Sequence, residues 1–563
     1  MQLSFDTKLP LPEGCYDYGA RSSGEAHGVV LTKTHIVELI LDLAGYTKDR
    51  KLHTLRLLDP ACGKGAFVVA AVDRLMHATQ RTDRTFANLG NAVLAYDTNP
   101  SLVDASRSAI AVVLERHCVP RILAAELAQH WIRKGDFLLA AASGDFDTVV
   151  GNPPYVRIEQ LLPQLLAEYR TRYRSLYDRA DLYVAFIERG LSLLADNGVL
   201  TFVCADRWTV NKYGGPLREI VTSNYALDAY VDLHTASPFQ SDVVAYPSIF
   251  SIRRGKQGKV SVLKLETGSS SEAADVLPSI RRESSTHPRV ALCSYDSWFQ
   301  ADEPWVISSP KHLEALRALE ARCQPLEADG RTRVRIGVAT GVDSVYIVQR
   351  ELDVERDRLV PLVMREDLDK GNIRDAKRYV INTFQDDGGV IRLSDYPKLA
   401  KYLEAHSTLI KKRHVAQKNP TNWFRTIDRV YPRLVSVPKL LLPDIAGANQ
   451  VVYDDGHFHP HHNLYFVTSD IWDMELLGGL LSSRVALFFV WSYAVKMRGG
   501  YLRFQAQYLR RIRVPQADTL PDALAKGIRA AFRKRDFAQL DALALKAYDI
   551  KDLPEFDFVD TRT

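Results

Sequence analysis

The first third of the chain repeats one pattern, in which a short apolar segment ends at an acidic residue and a helix-forming segment follows. The segments that end at Asp59, Asp97 and Asp136 stand in succession and alternate with helical sequences. Strands that alternate with helices form parallel sheets with helices on both faces, and parallel strands bring their carboxyl ends to one edge. The pattern therefore predicts an α/β fold with a doubly wound sheet, and a site at that edge.

The turn after the first strand, DPACGKGAF over residues 59–67, is typical of a backbone that passes close to a ligand. Its two glycines, Gly63 and Gly65, permit conformations and close approaches that other residues do not. The loop is neither GxGxxG nor a long glycine loop followed by Lys-Ser or Lys-Thr. The sequence therefore gives poor support to a P-loop nucleotide site.

The acids at the next two strand ends suit the two halves of a nucleoside. Asp97 follows the second strand, where a carboxylate commonly holds paired ribose hydroxyls. Asp136 is placed to accept a hydrogen bond from an adenine amino group beside Phe137. Each acid alone is explained as well by a turn or a helix cap, but three in succession favour ligand binding.

Residues 149–157, VVGNPPYVR, predict a β-branched strand that ends in a stiff turn. The two prolines fix φ and offer no N–H donors, so the carbonyls of Asn152 and Pro153 and the amide oxygen of Asn152 are left to accept hydrogen bonds. Tyr155 adds a flat aromatic face. These groups predict a site for a planar ring with an exocyclic amino group, although Asn-Pro and Pro-Pro also occur in ordinary turns.

Residues 28–43, GVVLTKTHIVELILDL, predict an amphipathic helix that starts near Thr32 or Thr34. A threonine at this position can cap the helix. Alternatively, its hydroxyl and the helix N-terminus can hold a carboxylate. Capping is the simpler interpretation of this segment by itself.

Composition excludes several classes of protein. With 563 residues, 46% hydrophobic and 25% charged, the chain is long enough for two or more globular domains. Its net charge of +5 is too small to indicate nucleic acid by itself. No run approaches the ~18 apolar residues of a membrane span, the N-terminus lacks the features of a signal peptide, and the six cysteines are scattered without a CxxC pair. These features predict a cytoplasmic protein with no membrane partner and no zinc site.

The second half predicts a separate domain. Residues 1–266 form the first domain, and residues 267–286, which are rich in Ser, Ala and charge, predict a surface linker. Residues 287–515 carry mixed α and β signals, and residues 516–563 predict a helical tail. Four histidines crowd the segment HFHPHH, but no cysteine or acid cluster accompanies them, so no metal site is predicted.

Basic and aromatic residues are interleaved in two segments of this half. The first is WFRTIDR over residues 423–429, and the second, residues 494–515, contains six basic residues, no acids and three aromatics. A solvated basic helix face explains the second segment nearly as well as contact with nucleic acid. The candidates for DNA contact are Arg425, Lys496, Arg498, Tyr501 and Arg503.

Five successive segments resemble the motifs of S-adenosylmethionine-dependent DNA adenine-N6 methyltransferases: DPACGKGAF, AYDTNP, GDFLL, FDTVVGNPPYVRIE and DLYVAFIERGLSLLADNGVLTFVCADRW. Their order, with the recognition region last, is similar to that of the gamma class, typified by TaqI-like enzymes. The resemblance covers about residues 25–255. It implies S-adenosylmethionine as cofactor, double-stranded DNA as partner, and a seven-stranded Rossmann-like sheet with a reversed hairpin at one edge. The second half is similar in placement to a target-recognition domain.

The resemblance also implies roles for matching residues. Thr32 resembles the residue that contacts the carboxylate of the cofactor. The residues similar to the rest of the cofactor site are Asp59, Ala61 and Gly63 at the methionine part, Asp97 at the ribose, and Asp136 and Phe137 at the adenine. The residues that match those holding the target base are Asn152, Pro153 and Tyr155. Tyr213, in the segment WTVNKYGGPLRE, is similar to a second aromatic on that base, although it stands one position from the family's aromatic.

Several alternatives stay open at this point. NPPY also occurs in methyltransferases of protein glutamine and of guanine in ribosomal RNA, but those families are generally much shorter. Cytosine-N4 methylation is usually associated with Ser at the position of Asn152, which favours adenine. A DNA-binding module without catalysis is disfavoured by the intact acids and by Asn152. A fused N-terminal nuclease is disfavoured because the first cofactor motif stands so early, so a separately encoded restriction endonuclease is the expected further partner.

Overall fold

The structure is a computed structural model, and it describes residues 31–82, 89–142, 144–240, 246–374, 376–448, 450–494 and 501–559. The chain separates into two units, Met1–Pro310 (unit 1) and Lys311–Thr563 (unit 2).

Unit 1 is organised around one sheet, which has nine strands among the described residues. The strands are β1 (Leu57–Asp59), β2 (Val93–Asp97), β3 (Ile132–Lys134), β4 (Phe146–Gly151), β5 (Leu194–Ala205), β6 (Tyr225–Asp232), β7 (Pro247–Arg254), β8 (Val260–Leu265) and β9 (Val290–Tyr295). Their order is β3-β2-β1-β4-β5-β7-β6-β8-β9.

The first five strands of unit 1 are parallel to one another, with Leu57 opposite both Val93 and Thr148. β7 is antiparallel to β5 and to β6, so the hairpin of β6 and β7 contains one reversed strand. The prediction of an α/β fold around a parallel-rich sheet is confirmed. The count of seven strands is not: β8 pairs with β6 and β9 pairs with β8, which extends the sheet beyond the hairpin.

The helices of unit 1 carry apolar residues that are buried against the sheet. They are α1 (Thr34–Leu43), α2 (Ala66–Thr82), α3 (Pro100–Arg116), α4 (Arg121–Trp131), α5 (Pro163–Arg172), α6 (Tyr183–Ser192), α7 (Gly215–Asn224) and α8 (Ser270–Arg282). Parallel strands buried on both faces are expected to be almost entirely apolar, and every residue of β1 up to its terminal Asp59 fits this rule.

The predicted linker over residues 267–286 is instead occupied by α8. The hydroxyl of Ser269 accepts a hydrogen bond from the backbone N–H of Glu272, which caps the helix. The buried Glu272 carboxylate in turn accepts from the backbone N–H groups of Thr267 and Gly268. Val276 is fully buried in the core of unit 1. The linker prediction was wrong. A composition rich in Ser and Ala is typical of loops, but here Ser269 caps a helix and Ala273 is buried on it.

Unit 2 combines short strands with short helices. Its strands are β10 (Gln324–Pro325), β11 (Arg333–Ile336), β12 (Ile347–Gln349), β13 (Leu359–Val363), β14 (Leu368–Asp369), β15 (Asn372–Ile373), β16 (Arg378–Ile381), β17 (Lys439–Pro443), β18 (Ile445–Ala446), β19 (Val452–Asp454), β20 (His459–Pro460), β21 (Leu464–Thr468), β22 (Leu502–Arg503) and β23 (Arg513–Val514). Two four-stranded sheets have the orders β11-β21-β17-β19 and β12-β16-β13-β20.

The helices of unit 2 include the pair predicted as a tail. They are α9 (Pro310–Arg322), α10 (Asp343–Tyr346), α11 (Pro397–Ala405), α12 (Ser407–Lys411), α13 (His414–Lys418), α14 (Met474–Ser482), α15 (Arg484–Tyr493), α16 (Ala506–Leu509), α17 (Asp522–Lys534) and α18 (Phe537–Ala547). α17 packs closely on α14, where a Cβ at Gly478 would lie 2.7 Å from the ring of Phe532. The helical tail over residues 516–563 is therefore part of unit 2.

Within the described ranges, no single helix is long and apolar enough to cross a membrane. α14 and α15 meet a length and composition criterion only as a pair, and the pair bends by 60° at its break.

Candidate active site

The Asn-Pro-Pro-Tyr corner lies where β4 ends, beside the end of β1. Gly151, the last residue of β4, is where the two strand ends approach most closely. A Cβ at Gly151 would lie 3.0 Å from Oδ1 of Asp59 and 3.5 Å from Cδ of Pro60. Glycine is therefore required here because a larger side chain would push the corner away from the loop after β1.

Thr32 touches this corner from a distant part of the sequence. The amide nitrogen Nδ2 of Asn152 donates a hydrogen bond of 3.3 Å to Oγ1 of Thr32. Thr32 is 4% exposed and forms an isolated antiparallel bridge with Phe239. The predicted cap role does not hold, since α1 begins at Thr34 and its N-cap residue is Lys33, without a side-chain capping bond.

Two aromatic rings flank Tyr155. Phe239 meets it edge-on, with ring centroids 6.1 Å apart and an interplanar angle of 81°. Tyr183 lies 6.4 Å away at 52°. The hydroxyl of Tyr155 is buried and has no hydrogen-bond partner among the described residues, and burial raises the pKa of this hydroxyl well above its usual range. Tyr155, Phe239 and Tyr183 thus form an aromatic cluster at this corner.

Tyr213, the aromatic that the sequence suggested for the target base, is connected to the corner through Tyr183. The two tyrosine hydroxyls lie 2.8 Å apart, and Tyr213 also donates to Oδ2 of Asp181 at 3.4 Å. Tyr213 is 9% exposed, and burial raises the pKa of its hydroxyl. Besides Tyr183, the ring that contacts Tyr155 directly is Phe239, which the sequence motifs did not indicate. Its only sequence signal is a single aromatic among polar residues, in TASPFQS.

The loop after β1 is held in place by the acid at the end of β2. Oδ2 of Asp97 accepts a hydrogen bond of 2.9 Å from the backbone N–H of Gly63. Gly63 has a φ of +54°, and a Cβ built there would meet nothing within 4 Å. This loop therefore presents open space next to its backbone at Gly63, and Ala61 in the same loop is half-buried.

Asp59 is the most electrostatically unusual group at this edge. It is fully buried, and its Oδ1 accepts from the backbone N–H of Ala61 at 3.1 Å. Its Oδ2 has no hydrogen-bond partner among the described residues. Burial, reinforced by the charge of Asp97, raises the pKa of Asp59 to about 8. A bound cation beside this oxygen would offset the cost of ionising it.

Asp136 and Phe137 are more enclosed than the sequence suggested. Oδ1 of Asp136 accepts from the backbone N–H of Leu138 at 2.8 Å, and its Oδ2 accepts from the hydroxyl of Tyr169. Phe137 is 1% exposed, and its ring lies against Phe186 with centroids 5.5 Å apart. The ring of Phe137 therefore has no open face for a ligand.

The candidate DNA contacts that the structure describes in unit 2 differ in exposure and in their hydrogen-bond partners. Arg503 forms two bonds with Asp444, from Nη2 at 2.6 Å and from Nε at 3.2 Å. Tyr501 is 39% exposed. Arg425 is half-buried, and its carbonyl accepts from the guanidinium of Arg413 at 2.8 Å. The other two candidates, Lys496 and Arg498, lie outside the described residues.

Two family profiles match parts of this chain. One is described as the Eco57I restriction-modification methylase and matches residues 113–239. The other is described as the TaqI-like C-terminal specificity domain and matches residues 374–514.

Three curated proteins are similar over nearly the whole chain. The type II methyltransferase M.BstVI of Geobacillus stearothermophilus is 44% identical over 88% of this chain and 91% of its own. M.PaeR7I of Pseudomonas aeruginosa is 42% identical over 93% of this chain and 92% of its own. M.XhoI of Xanthomonas vasicola is 42% identical over 95% of this chain and 100% of its own.

Among solved structures, the type IIL restriction-modification enzyme MmeI in complex with DNA is similar in fold, with a TM-score of 0.63 at 12% identity over 93% of this chain and 74% of that one. A nuclease-deletion mutant of the type ISP enzyme LlaGI has a TM-score of 0.53 at 12% identity, over 90% and 46%.

Proposed function

The chain belongs to the type II methyltransferases of restriction-modification systems, which methylate DNA, and from that premise we propose that its acceptor is N6 of an adenine flipped out of the duplex. Membership of this family confirms the resemblance to TaqI-like enzymes drawn from the motifs. The methyl donor is S-adenosylmethionine.

The observation that carries the proposal is the position of Asn152. Its side chain stands at the carboxyl end of β4, bonded to Thr32 and beside the ring pair of Tyr155 and Phe239. The amide oxygen of Asn152 and the carbonyl of Pro153 are the two acceptors that an exocyclic amino group requires. The same corner approaches Asp59 so closely that only glycine fits between them. Acceptor amine and methyl donor would thus be held side by side.

The residues at the carboxyl edge of the sheet fit the cofactor. Asp59 offers a buried oxygen without a partner among the described residues, which suits a cationic ligand, and the loop at Gly63 leaves open space beside its backbone. Asp97 at the end of β2 would accept from the ribose hydroxyls. Asp136 would accept from the adenine amino group only if the hydroxyl of Tyr169 gave up its bond to Oδ2. S-adenosylmethionine supplies a methyl group activated on a sulfonium.

Asn152 and Pro153 act on the nitrogen that receives the methyl group. The N6 lone pair of adenine is delocalised into the ring, so the free amine is a poor nucleophile. Two acceptors that bind the N6 hydrogens favour a pyramidal nitrogen, whose lone pair would then form the new N–C bond as the S–CH3 bond of the sulfonium breaks and leaves a neutral thioether. One N6 proton leaves to water after transfer. The protein thus contributes positioning and electrostatics.

We assign the second aromatic contact of the base to Phe239 in place of Tyr213. Phe239 contacts Tyr155 directly and is joined to Thr32 by a backbone bridge, whereas Tyr213 is tied through hydroxyl groups to Tyr183 and Asp181. Flipping a base out of its stack costs a few kcal/mol. A base stacked on Tyr155 would meet Phe239 edge-on, because the two rings stand at 81°, and these two aromatic contacts would offset part of this cost.

Recognition of the DNA sequence is proposed to reside in unit 2. The support is the match of residues 374–514 to a C-terminal specificity domain. A separately encoded endonuclease is the proposed partner of the same system. Loss of catalysis, and RNA or protein as substrate, are the competing functions; the intact cofactor edge argues against the first, and the family membership argues against the second.

Identification of the methylated base tests this proposal. Purified protein is incubated with unmethylated duplex DNA and methyl-labelled cofactor, and the hydrolysed nucleosides are separated by mass. The label is expected in N6-methyladenine. Label in N4-methylcytosine, or in RNA or protein supplied at equal mass in place of DNA, would contradict the proposed acceptor, and no transfer at all would favour a binding module.

A further inference from the structure

The four histidines of the segment HFHPHH have different environments in unit 2. His457 is 65% exposed. His459 is buried, and burial lowers its pKa to about 4. The remaining two, His461 and His462, lie beside Asp343, which stands 118 residues before His461 in the chain. The fold therefore brings to His461 and His462 an acid from a distant part of the chain.

Asp343, His461 and His462 bring three ligand atoms to one point. Nε2 of His461 is 3.1 Å from Oδ2 of Asp343 and 2.8 Å from Nδ1 of His462. All three atoms lie within 4.8 Å of one another. His461 is 2% exposed, whereas His462 is exposed. The cluster is thus enclosed on one side and open to water on the other.

Hydrogen bonds alone do not satisfy this cluster. A ring nitrogen carries either one proton or one lone pair in its plane. If Nε2 of His461 is protonated, Asp343 and His462 compete for the same proton. If it is not, Nδ1 of His462 can donate to its lone pair, but the unprotonated nitrogen then stands 3.1 Å from the carboxylate of Asp343 with no proton between them. A cation at the common point would accept a lone pair from all three atoms at once.

The ligand atoms are held by their surroundings. Oδ1 of Asp343 accepts a hydrogen bond of 2.5 Å from the hydroxyl of the fully buried Thr340, which fixes the carboxylate. His461 is paired with Val338 in a parallel bridge, and the N–H of His462 donates to the carbonyl of Val338 at 3.0 Å. Nδ1 of His461 has no hydrogen-bond partner among the described residues, so no bond there dictates which ring nitrogen is protonated.

Two other groups of histidine and acidic residues, around Asp73 and around Asp454, differ from this cluster because a lysine pairs with the acid. In the cluster around Asp73, Nζ of Lys48 lies 3.5 Å from the carboxylate. In the cluster around Asp454, the buried Lys439 pairs with the carboxylate at 2.8 Å. A lysine thus already neutralises each of these acids. Asp343 has no ion pair with Lys or Arg among the described residues, so its charge is directed at the two imidazoles.

We propose that Asp343, His461 and His462 bind one zinc-type divalent ion, with water in the fourth position on the exposed side of His462. Two imidazoles and one carboxylate are the ligand types that zinc accepts, with bonds of about 2.0–2.1 Å. Tetrahedral geometry at that bond length needs ligand atoms roughly 3.3 Å apart, so the two rings separate by a few tenths of an ångström on binding. The ion joins the first residue of α10 to the segment after β20.

Binding of cobalt tests the site, because Co²⁺ replaces zinc and gives visible absorption bands in a tetrahedral environment. Untagged full-length protein is stripped with a chelator, then titrated with Co²⁺, and Zn²⁺ is added in competition. One equivalent of Co²⁺ is expected to bind with tetrahedral bands, and Zn²⁺ is expected to displace it. Zinc at about 100 times its dissociation constant is expected to raise the thermal midpoint by about 5 °C or more.

Matched variants separate this site from the rest of the segment. His462→Ala and Asp343→Asn are expected to abolish the cobalt bands, and Thr340→Val to weaken binding by about 10- to 100-fold. His457→Ala, in the same segment but outside the cluster, is expected to bind like the wild type. Circular dichroism of each metal-free variant checks its fold. Absence of stoichiometric binding to the wild type, or equal binding by His462→Ala and Asp343→Asn, overturns the proposal.

Discussion

The two units of the molecule assemble their polar clusters in different ways. In unit 1 the clustered residues follow neighbouring parallel strands: Asp97 at the end of β2 binds Gly63 after β1, and Gly151 at the end of β4 approaches Asp59. In unit 2 a histidine of the segment after β20 meets Asp343, 118 residues away. The comparison teaches that order along the chain predicts neighbours only where the sheet is parallel and its strand ends share one edge.

The strongest test of the unit 1 cluster is Asn152→Ala. Removal of one positioned acceptor is expected to lower kcat by about 10³-fold or more, because the exocyclic amine then lacks a partner that reshapes it. The affinity for S-adenosylmethionine is expected to stay within about threefold, since Asn152 is proposed to face the base. Single-turnover methyl transfer and calorimetric cofactor binding measure the two quantities. Near-normal turnover would mean that methyl transfer does not take place at the end of β4.

A comparison of Phe239→Ala with Tyr213→Phe tests which aromatic faces the base. Loss of the Phe239 ring is expected to reduce kcat/KM by about 10- to 100-fold, whereas Tyr213→Phe keeps the ring and removes only the hydroxyl bonds. Fluorescence of 2-aminopurine at the target position reports flipping directly. A larger loss for Tyr213→Ala than for Phe239→Ala would restore the assignment that the sequence suggested.

The pH dependence of cofactor binding tests Asp59. Its pKa of about 8 lies above the ordinary value of 3.8, so the folded protein holds this proton more tightly than the unfolded chain does. In the cofactor-free protein, the contribution of Asp59 to the free energy of unfolding is therefore lost as the pH rises from 3.8 towards about 8. Affinity for the cationic cofactor is expected to increase about fivefold between pH 7 and pH 8, as the carboxyl ionises. Titration calorimetry and thermal midpoints across this range measure both trends.

Asp59→Asn is the control for that prediction, because it keeps the shape of the side chain and cannot ionise. Its cofactor affinity is expected to be weaker and independent of pH over the same range. An unchanged pH profile in Asp59→Asn would assign the titration to another group.

The smallest effect is expected from Arg503→Ala in unit 2. Because Asp444 already pairs with this guanidinium through two bonds, Arg503 has little charge left for a phosphate. The slope of log affinity for DNA against log salt is expected to change by less than the ~0.9 that one phosphate contact contributes. Asp444→Ala, which frees the arginine, is the matched variant. A full unit of slope lost in Arg503→Ala would mean that DNA displaces Asp444.

Much of unit 1 was predictable because local sequence and topology agree there. The strand ends at Asp59, Asp97 and Asn152 were visible as breaks in apolar runs, and parallel pairing places such ends together. These local patterns do not predict Phe239. A backbone bridge joins it to Thr32, which is far away in the sequence, and its ring contacts Tyr155 only in the folded chain. The Ser-rich segment at the start of α8 was wrongly predicted as a linker, because its composition fits a loop. The spacing of Ser269 and Glu272 instead fits a helix cap.

The sequence by itself determined the α/β class, the edge where the chemistry is proposed, and the family. These depend on periodicity and on short motifs, which act over a few residues. The tertiary structure alone decided that Phe239 rather than Tyr213 contacts Tyr155, that residues 270–282 form a helix, and that Asp343 joins two histidines. Such pairings bring together residues far apart in the chain, and no local preference encodes them, because their energy arises only once the intervening segments have packed.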